Sequence, residues 1–200
     1  MTQEEESMRL NILNNGYTFG TKVLLAFIHL VSRRRVPDAA RLVMYRPDFY
    51  GEPMGAFTQL VMRGPSAWSV GDRELMAAFV SKMNACAFCV GAHTATAAMA
   101  YQDEAKVQAV LSDLETAPIG EPLRATLRLL GKLTREQTAS ADDMRAVLSA
   151  GVSREQIEDA LAVCFAFNTT NRLADAFGFF VPGPNAFEAG AKFLLRRGYR

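Results

Sequence analysis

The sequence predicts an all-α protein, and three observations carry the prediction. Apolar residues recur at helical spacing along most of the chain. Few segments alternate apolar and polar residues as a half-buried strand does. Proline and glycine punctuate the periodic stretches, at Pro37, Pro47, Gly64-Pro65, Pro118 to Gly120, Gly151 and Pro182-Gly183-Pro184.

The elements follow in order. Helices are expected near 18–34, 38–45, 53–63, 70–83, 85–101, 103–114, 121–134, 141–149, 154–166, 168–180 and 185–197. Ser69 precedes Val70 and has Asp72 three residues on, which reads as a capping box. Ser140 and Ser153 stand just before apolar-periodic stretches, the second with Gln156 at the capping-box distance. Residues 1–200 read as one domain, with 1–15 as an N-terminal tail or arm.

A shift of 82 positions superposes two helix pairs in the sequence. Leu75 falls on Ile157, Ala78 on Ala160, Phe79 on Leu161 and Met83 on Phe165. Under the same shift Cys86, Cys89 and His93 fall on Asn168, Asn171 and Asp175, an arrangement expected of an old helix-pair duplication.

Composition narrows the function classes. Half of the 200 residues are hydrophobic and 22% are charged, enough for one sizeable core. The formal net charge of +1 gives no reason to expect a nucleic-acid partner. Arg33, Arg34 and Arg35 follow an apolar helical stretch, where cations complement the C-terminal dipole. The longest apolar run, Val23 to Val31, is interrupted by His29 and falls short of the roughly 20 residues of a membrane span. The N-terminus is acidic (Glu4, Glu5, Glu6) and unlike a signal peptide, so a cytoplasmic location is the expectation. In a reducing compartment, a pair of cysteines three residues apart reads as catalytic or metal-binding, not as a structural staple.

The chemistry concentrates between Glu74 and His93. On one helix, positions 86, 89 and 93 are separated by three and four residues and share a face. Cys86 in a first turn, with Cys89 just inside it, would meet unpaired N–H groups and the positive dipole end, which favour a thiolate. His93 stands one turn beyond Cys89, and Glu74 on the preceding helix can fold back across to it. A carboxylate beside an imidazole fixes its tautomer and raises its basicity. The four supply a nucleophile, a second thiol, a relay and a base. They are also legitimate zinc ligands, although structural zinc sites draw their ligand pairs from loops or turns.

Glu, eleven residues, Cys-x-x-Cys, three residues, His resembles the core motif of the alkylhydroperoxidase AhpD-like proteins of the carboxymuconolactone decarboxylase superfamily. Arg46-Pro47-Asp48-Phe49, Met62-Arg63-Gly64-Pro65-Ser66 and Asn168-Thr169-Thr170-Asn171-Arg172 look like segments of its peroxidase-related branch, so the resemblance covers roughly residues 40–180. It implies an AhpD-like helical bundle and a homo-oligomer, dimer or larger; no cofactor, membrane or nucleic-acid partner is expected. It also implies reduction of hydrogen peroxide or alkyl hydroperoxides. Cys89 would attack the peroxide, Cys86 would resolve, and His93 with Glu74 would relay protons. A dithiol, lipoyl or thioredoxin-like, would reset the pair. The sequence departs from the best-known members at Phe88, where they carry a histidine. A general thiol–disulfide oxidoreductase, and a non-enzymatic redox-sensing or zinc-holding protein, are the other readings.

Asn168, Asn171 and Arg172 would line the same pocket under the duplication, or else cap a helix start. Cys164 is expected to be a buried, inert thiol, His29 a core or interface residue, and Trp68 and Phe88 core. The final helix, with Phe187, Ala191, Phe193 and Leu194, offers an apolar face to a second subunit.

Overall fold

The computed structural model describes residues 16–33 and 35–199, so the expected tail at 1–15 and Arg34 lie outside the described residues. Among the described residues there are ten α-helices and one π-helical turn, and no strand. The helices are Phe19–Ser32 (α1), Asp38–Tyr45 (α2), Glu52–Arg63 (α3), Val70–Met83 (α4), Ala87–Tyr101 (α5), Glu104–Ser112 (α6), Glu121–Glu136 (α7), Ala141–Ser149 (α8), Arg154–Phe177 (α9) and Pro184–Arg197 (α10). The π-turn Pro47–Gly51 joins α2 to α3.

α4 is the axis of the bundle. Leu75, Met76, Ala77, Ala78 and Val80 are fully buried, as expected of a helix apolar on all sides. It packs against α5, α9, α7, α3 and α6, and α10 lies along α5. Full capping boxes start α4 at Ser69 and Asp72, α8 at Ser140 and Asp143, and α9 at Ser153 and Gln156.

One expectation is corrected. Residues 154–177 form one helix of 24 residues where two were expected. Neither Pro nor Gly interrupts it, and its polar middle is satisfied internally. Asn168 Nδ2 donates to the Cys164 carbonyl one turn back at 3.0 Å, and Asn171 faces polar partners on α4 and in the turn that follows it. The second copy of the duplication therefore has no turn to match the one between α4 and α5. The final helix turns part of its apolar face inward, while Phe193 is exposed. Ala191 is buried and Phe187 sits against α5, where a Cβ on Gly91 would come within 2.4 Å of the Phe187 ring.

α1 is less enclosed. Phe27 and Leu30 are 60% and 75% exposed, and Val23, Leu24 and Val31 are also exposed. His29 is exposed too, so it is not a core residue. Trp68 is buried as expected and donates its indole N–H to the Gln156 carbonyl at 2.8 Å. No described helix is long and apolar enough to cross a membrane.

Candidate active site

The turn between α4 and α5 sets the positions of the thiols. Asn84 caps α4, and Ala85 then adopts the left-handed conformation at φ 56°. Ala85 N–H donates to the Lys82 carbonyl and Cys86 N–H to the Ser81 carbonyl, both at 3.0 Å. This is a Schellman motif with alanine where glycine is usual. It redirects the chain so that Cys86 becomes the N-cap of α5, one position earlier than the first turn expected for it. Cys89 then falls within the first turn of α5 and His93 one turn further.

Both thiols are buried among Leu42, Ala174 and Phe179, with Tyr50 of the π-turn packed against the same cluster. They lie within hydrogen-bonding reach of one another. The bond from Cys89 pulls the Cys86 thiol below its usual range, against burial and the Asp175 carboxylate. The same bond, burial and the charge of Cys86 push Cys89 well up, while the Asn171 amide acts to bring it down.

Asn171 is fully buried on α9. Its Nδ2 donates to Ser81 Oγ at 3.0 Å, and its Oδ1 accepts from Asn84 Nδ2 at 2.9 Å. Asn84 also donates to Asn168 Oδ1 at 3.1 Å. Asn168 in turn donates to Cys164 and Thr134, away from the reactive pair. Arg172 is exposed and donates to the Asn168 carbonyl at 2.7 Å, so it turns from the thiols. Of the three expected pocket residues, only Asn171 reaches the reactive pair. Cys164 is buried, and burial raises its pKa, in keeping with an inert thiol.

Glu74 and His93 meet as expected. His93 Nδ1 lies 2.7 Å from Glu74 Oε2, with both side chains nearly or fully buried. The other carboxylate oxygen accepts from Arg63 at 2.6 Å and from the Tyr199 hydroxyl at 2.8 Å. Burial alone would raise the Glu74 carboxyl, but the hydrogen bond and charge of His93 and of Arg63 outweigh it and hold Glu74 below its ordinary range. An ionised carboxylate only accepts, so Nδ1 carries a proton and Nε2 of a neutral ring is the basic nitrogen. The ring is held edge-on by Phe167 at 4.4 Å and stacked on Tyr199 at 6.4 Å, centroid to centroid. Tyr199 is itself fixed by burial and by Gln59, which accepts its backbone N–H at 2.7 Å.

With both Glu74 oxygens engaged, the four residues do not converge on a common point, and no described group of His, Cys, Asp and Glu is arranged to hold a metal ion. Phe88 lines a shallow cleft and packs edge-on to Phe179 at 5.4 Å and tilted on Phe187 at 6.2 Å. It takes part in an aromatic wall and offers no proton.

Residues the sequence reading left without a role are Arg63, Tyr199, Tyr50, Ser81, Asn84 and Asp175. Arg63 lies in the 62–66 segment with no local chemistry to mark it. Asp175 follows Asn171 by one helical turn, a spacing that would have placed both on one face. Tyr199 had no local signal, because its contact with Glu74 spans 125 residues.

Comparison with known proteins agrees with this architecture. Residues 48–132 match the model of the carboxymuconolactone decarboxylase family. The chain superposes on an uncharacterized peroxidase-related protein from Silicibacter sp. TM1040 with a TM-score of 0.77, 23% identity, and coverage of 94% of this chain and 97% of that one. It superposes on the alkylhydroperoxidase AhpD core of an uncharacterized peroxidase-related protein from Ralstonia eutropha JMP134 with a TM-score of 0.73, 21% identity, and coverage of 92% and 97%. At these identities the likeness is one of fold. No curated protein matches the chain.

Proposed function

We propose, from the match of residues 48–132 to the carboxymuconolactone decarboxylase family and from the AhpD-like fold, that the chain is a thiol peroxidase acting on hydrogen peroxide or alkyl hydroperoxides. The observation that carries the reading is the buried Glu74–His93 pair, 2.7 Å apart, formed between α4 and α5, the helix whose start bears Cys86 and Cys89. A structural ion pair alone has no need of two neighbouring thiols at the start of the helix that carries its histidine.

Each residue has a role that its surroundings suit. Cys89 is the peroxide-attacking thiol. Its pKa is pushed up, so it needs a base, and His93 Nε2, oriented through Nδ1 by Glu74, supplies one through a water. As Cys89 Sγ bonds to the terminal peroxide oxygen, the O–O bond breaks. The alkoxide takes the Cys89 proton and leaves as an alcohol, and Cys89 becomes a sulfenic acid. Cys86, already favoured as a thiolate, then attacks the sulfenic sulfur. The S–O bond breaks, the hydroxide takes up the proton that Cys86 gave up on ionising and leaves as water, and the Cys86–Cys89 disulfide forms.

An external dithiol, lipoyl or thioredoxin-like, reduces that disulfide by exchange and leaves as its own disulfide. The protein works in the cytoplasm as a homo-oligomer, dimer or larger, and the exposed apolar face of α1 is the surface an assembly would cover.

Phe88 favours a second reading, general thiol–disulfide exchange, because an aromatic wall beside the pair suits a docked disulfide. Steady-state turnover separates the two. The peroxidase reading requires hydroperoxide-dependent oxidation of a dithiol that vanishes in Cys89→Ser. Equal turnover of small disulfides without peroxide would favour the second reading.

A further inference from the structure

A shallow cleft opens beside the thiol pair, between the start of α5 and the end of α9. Ala85 and Ala87, the two neighbours of Cys86 in the chain, form one side, and Phe88 and Phe179 form the wall. Cys86 itself is fully buried; it stands between Ala85 and Ala87 in the chain and packs with Ala174 and Phe179, which also line the cleft. Asp175 is the one charged residue in the lining, and it is exposed. Its carboxylate lies within hydrogen-bonding reach of the Cys86 thiol, and no described cation is paired with it. An unpaired carboxylate in an otherwise apolar recess is a fixed negative charge beside the path to a nucleophile. Apolar walls on both sides strengthen its field relative to open water.

We propose that this cleft is the way in to the thiol pair, and that Asp175 makes it admit neutral or cationic apolar molecules and turn away anions. The proposal deepens the peroxidase reading and rests on it for its biological sense. It names the accepted class as neutral apolar hydroperoxides, with carboxylate-bearing peroxides disfavoured. No bond changes at Asp175, which acts as a specificity-determining residue.

The test compares two alkylating agents of nearly equal size, neutral iodoacetamide and anionic iodoacetate, on the reduced full chain. The rate of Cys86 modification is followed by peptide mass spectrometry and normalised to the same two rates on unfolded protein. Wild type is expected to prefer the neutral reagent over the anion by roughly three- to tenfold more than Asp175→Asn does, and the excess should shrink as salt is added. Asp175→Glu should keep the preference and Asp175→Lys should reverse it. Any change in Cys86 acidity caused by these substitutions alters both rates alike, so the ratio reports the charge alone. An identical ratio in wild type and Asp175→Asn overturns the proposal. Because no peroxide is involved, the ratio survives if the peroxidase reading fails. A flat ratio beside intact peroxide turnover sinks only the cleft assignment.

Discussion

The Tyr199 hydroxyl donates to Glu74 Oε1 at 2.8 Å, and the last described residue of the chain thereby closes the buried carboxylate at the centre of the site. The backbone that brings it there turns at Gly198, with φ 74°, where a Cβ would strike the Gln59 side chain. A hydrogen bond to a charged group is worth about 1.5–3 kcal/mol. Tyr199→Phe should lower unfolding free energy by that order in urea titration while leaving the helical signal intact.

The same carboxylate sets an acid limit. Glu74 is held below its ordinary range in the fold, so its contribution is fully present above about pH 4.3, the unfolded value, and is lost as pH falls through the folded one. Glu74→Gln leaves the Arg63 guanidinium, 11% exposed, without its counter-charge, a loss of about 3–5 kcal/mol near neutral pH. Thermal midpoints measured from pH 7 to pH 3 should converge for wild type and Glu74→Gln as the acid limb is entered.

Much of this was legible in the sequence, and what was not has a physical reason. Capping boxes at Ser69 and Ser153 are local chemistry, and both formed. The Glu74–His93 contact follows from helix spacing and one tight turn, and it formed as well. The expected break at Asn168 did not occur. Side chains that favour caps also serve mid-helix when a neighbouring helix satisfies them, as Ser81 and Asn84 do for Asn171. Arg63 and Tyr199 were invisible as site residues because only tertiary packing brings them to Glu74.

The turn that creates the site carries a removable cost. Ala85 holds φ 56° where glycine is unstrained. Ala85→Gly should raise stability by about 0.5–1 kcal/mol, provided its larger unfolded-state entropy does not offset the gain. Equilibrium denaturation reads the sign directly.

Gly91 makes the opposite case. A methyl there would come within 2.4 Å of the Phe187 ring and push α10 off α5. Gly91→Ala should destabilise the protein by about 1–3 kcal/mol, and Phe187→Ala in the same chain should recover part of the loss in a double-mutant cycle.

The central claim is that Cys89 attacks peroxide and Cys86 resolves. Counting thiols on the reduced protein before and after a modest excess of cumene hydroperoxide tests it most directly, with Cys86→Ser and Cys89→Ser alongside. Wild type should lose two thiols quickly and keep Cys164, Cys86→Ser should stall at a sulfenic acid on Cys89, and Cys89→Ser should lose none. Loss of thiols only at the rate of free cysteine, or equal loss in Cys89→Ser and wild type, would contradict the account.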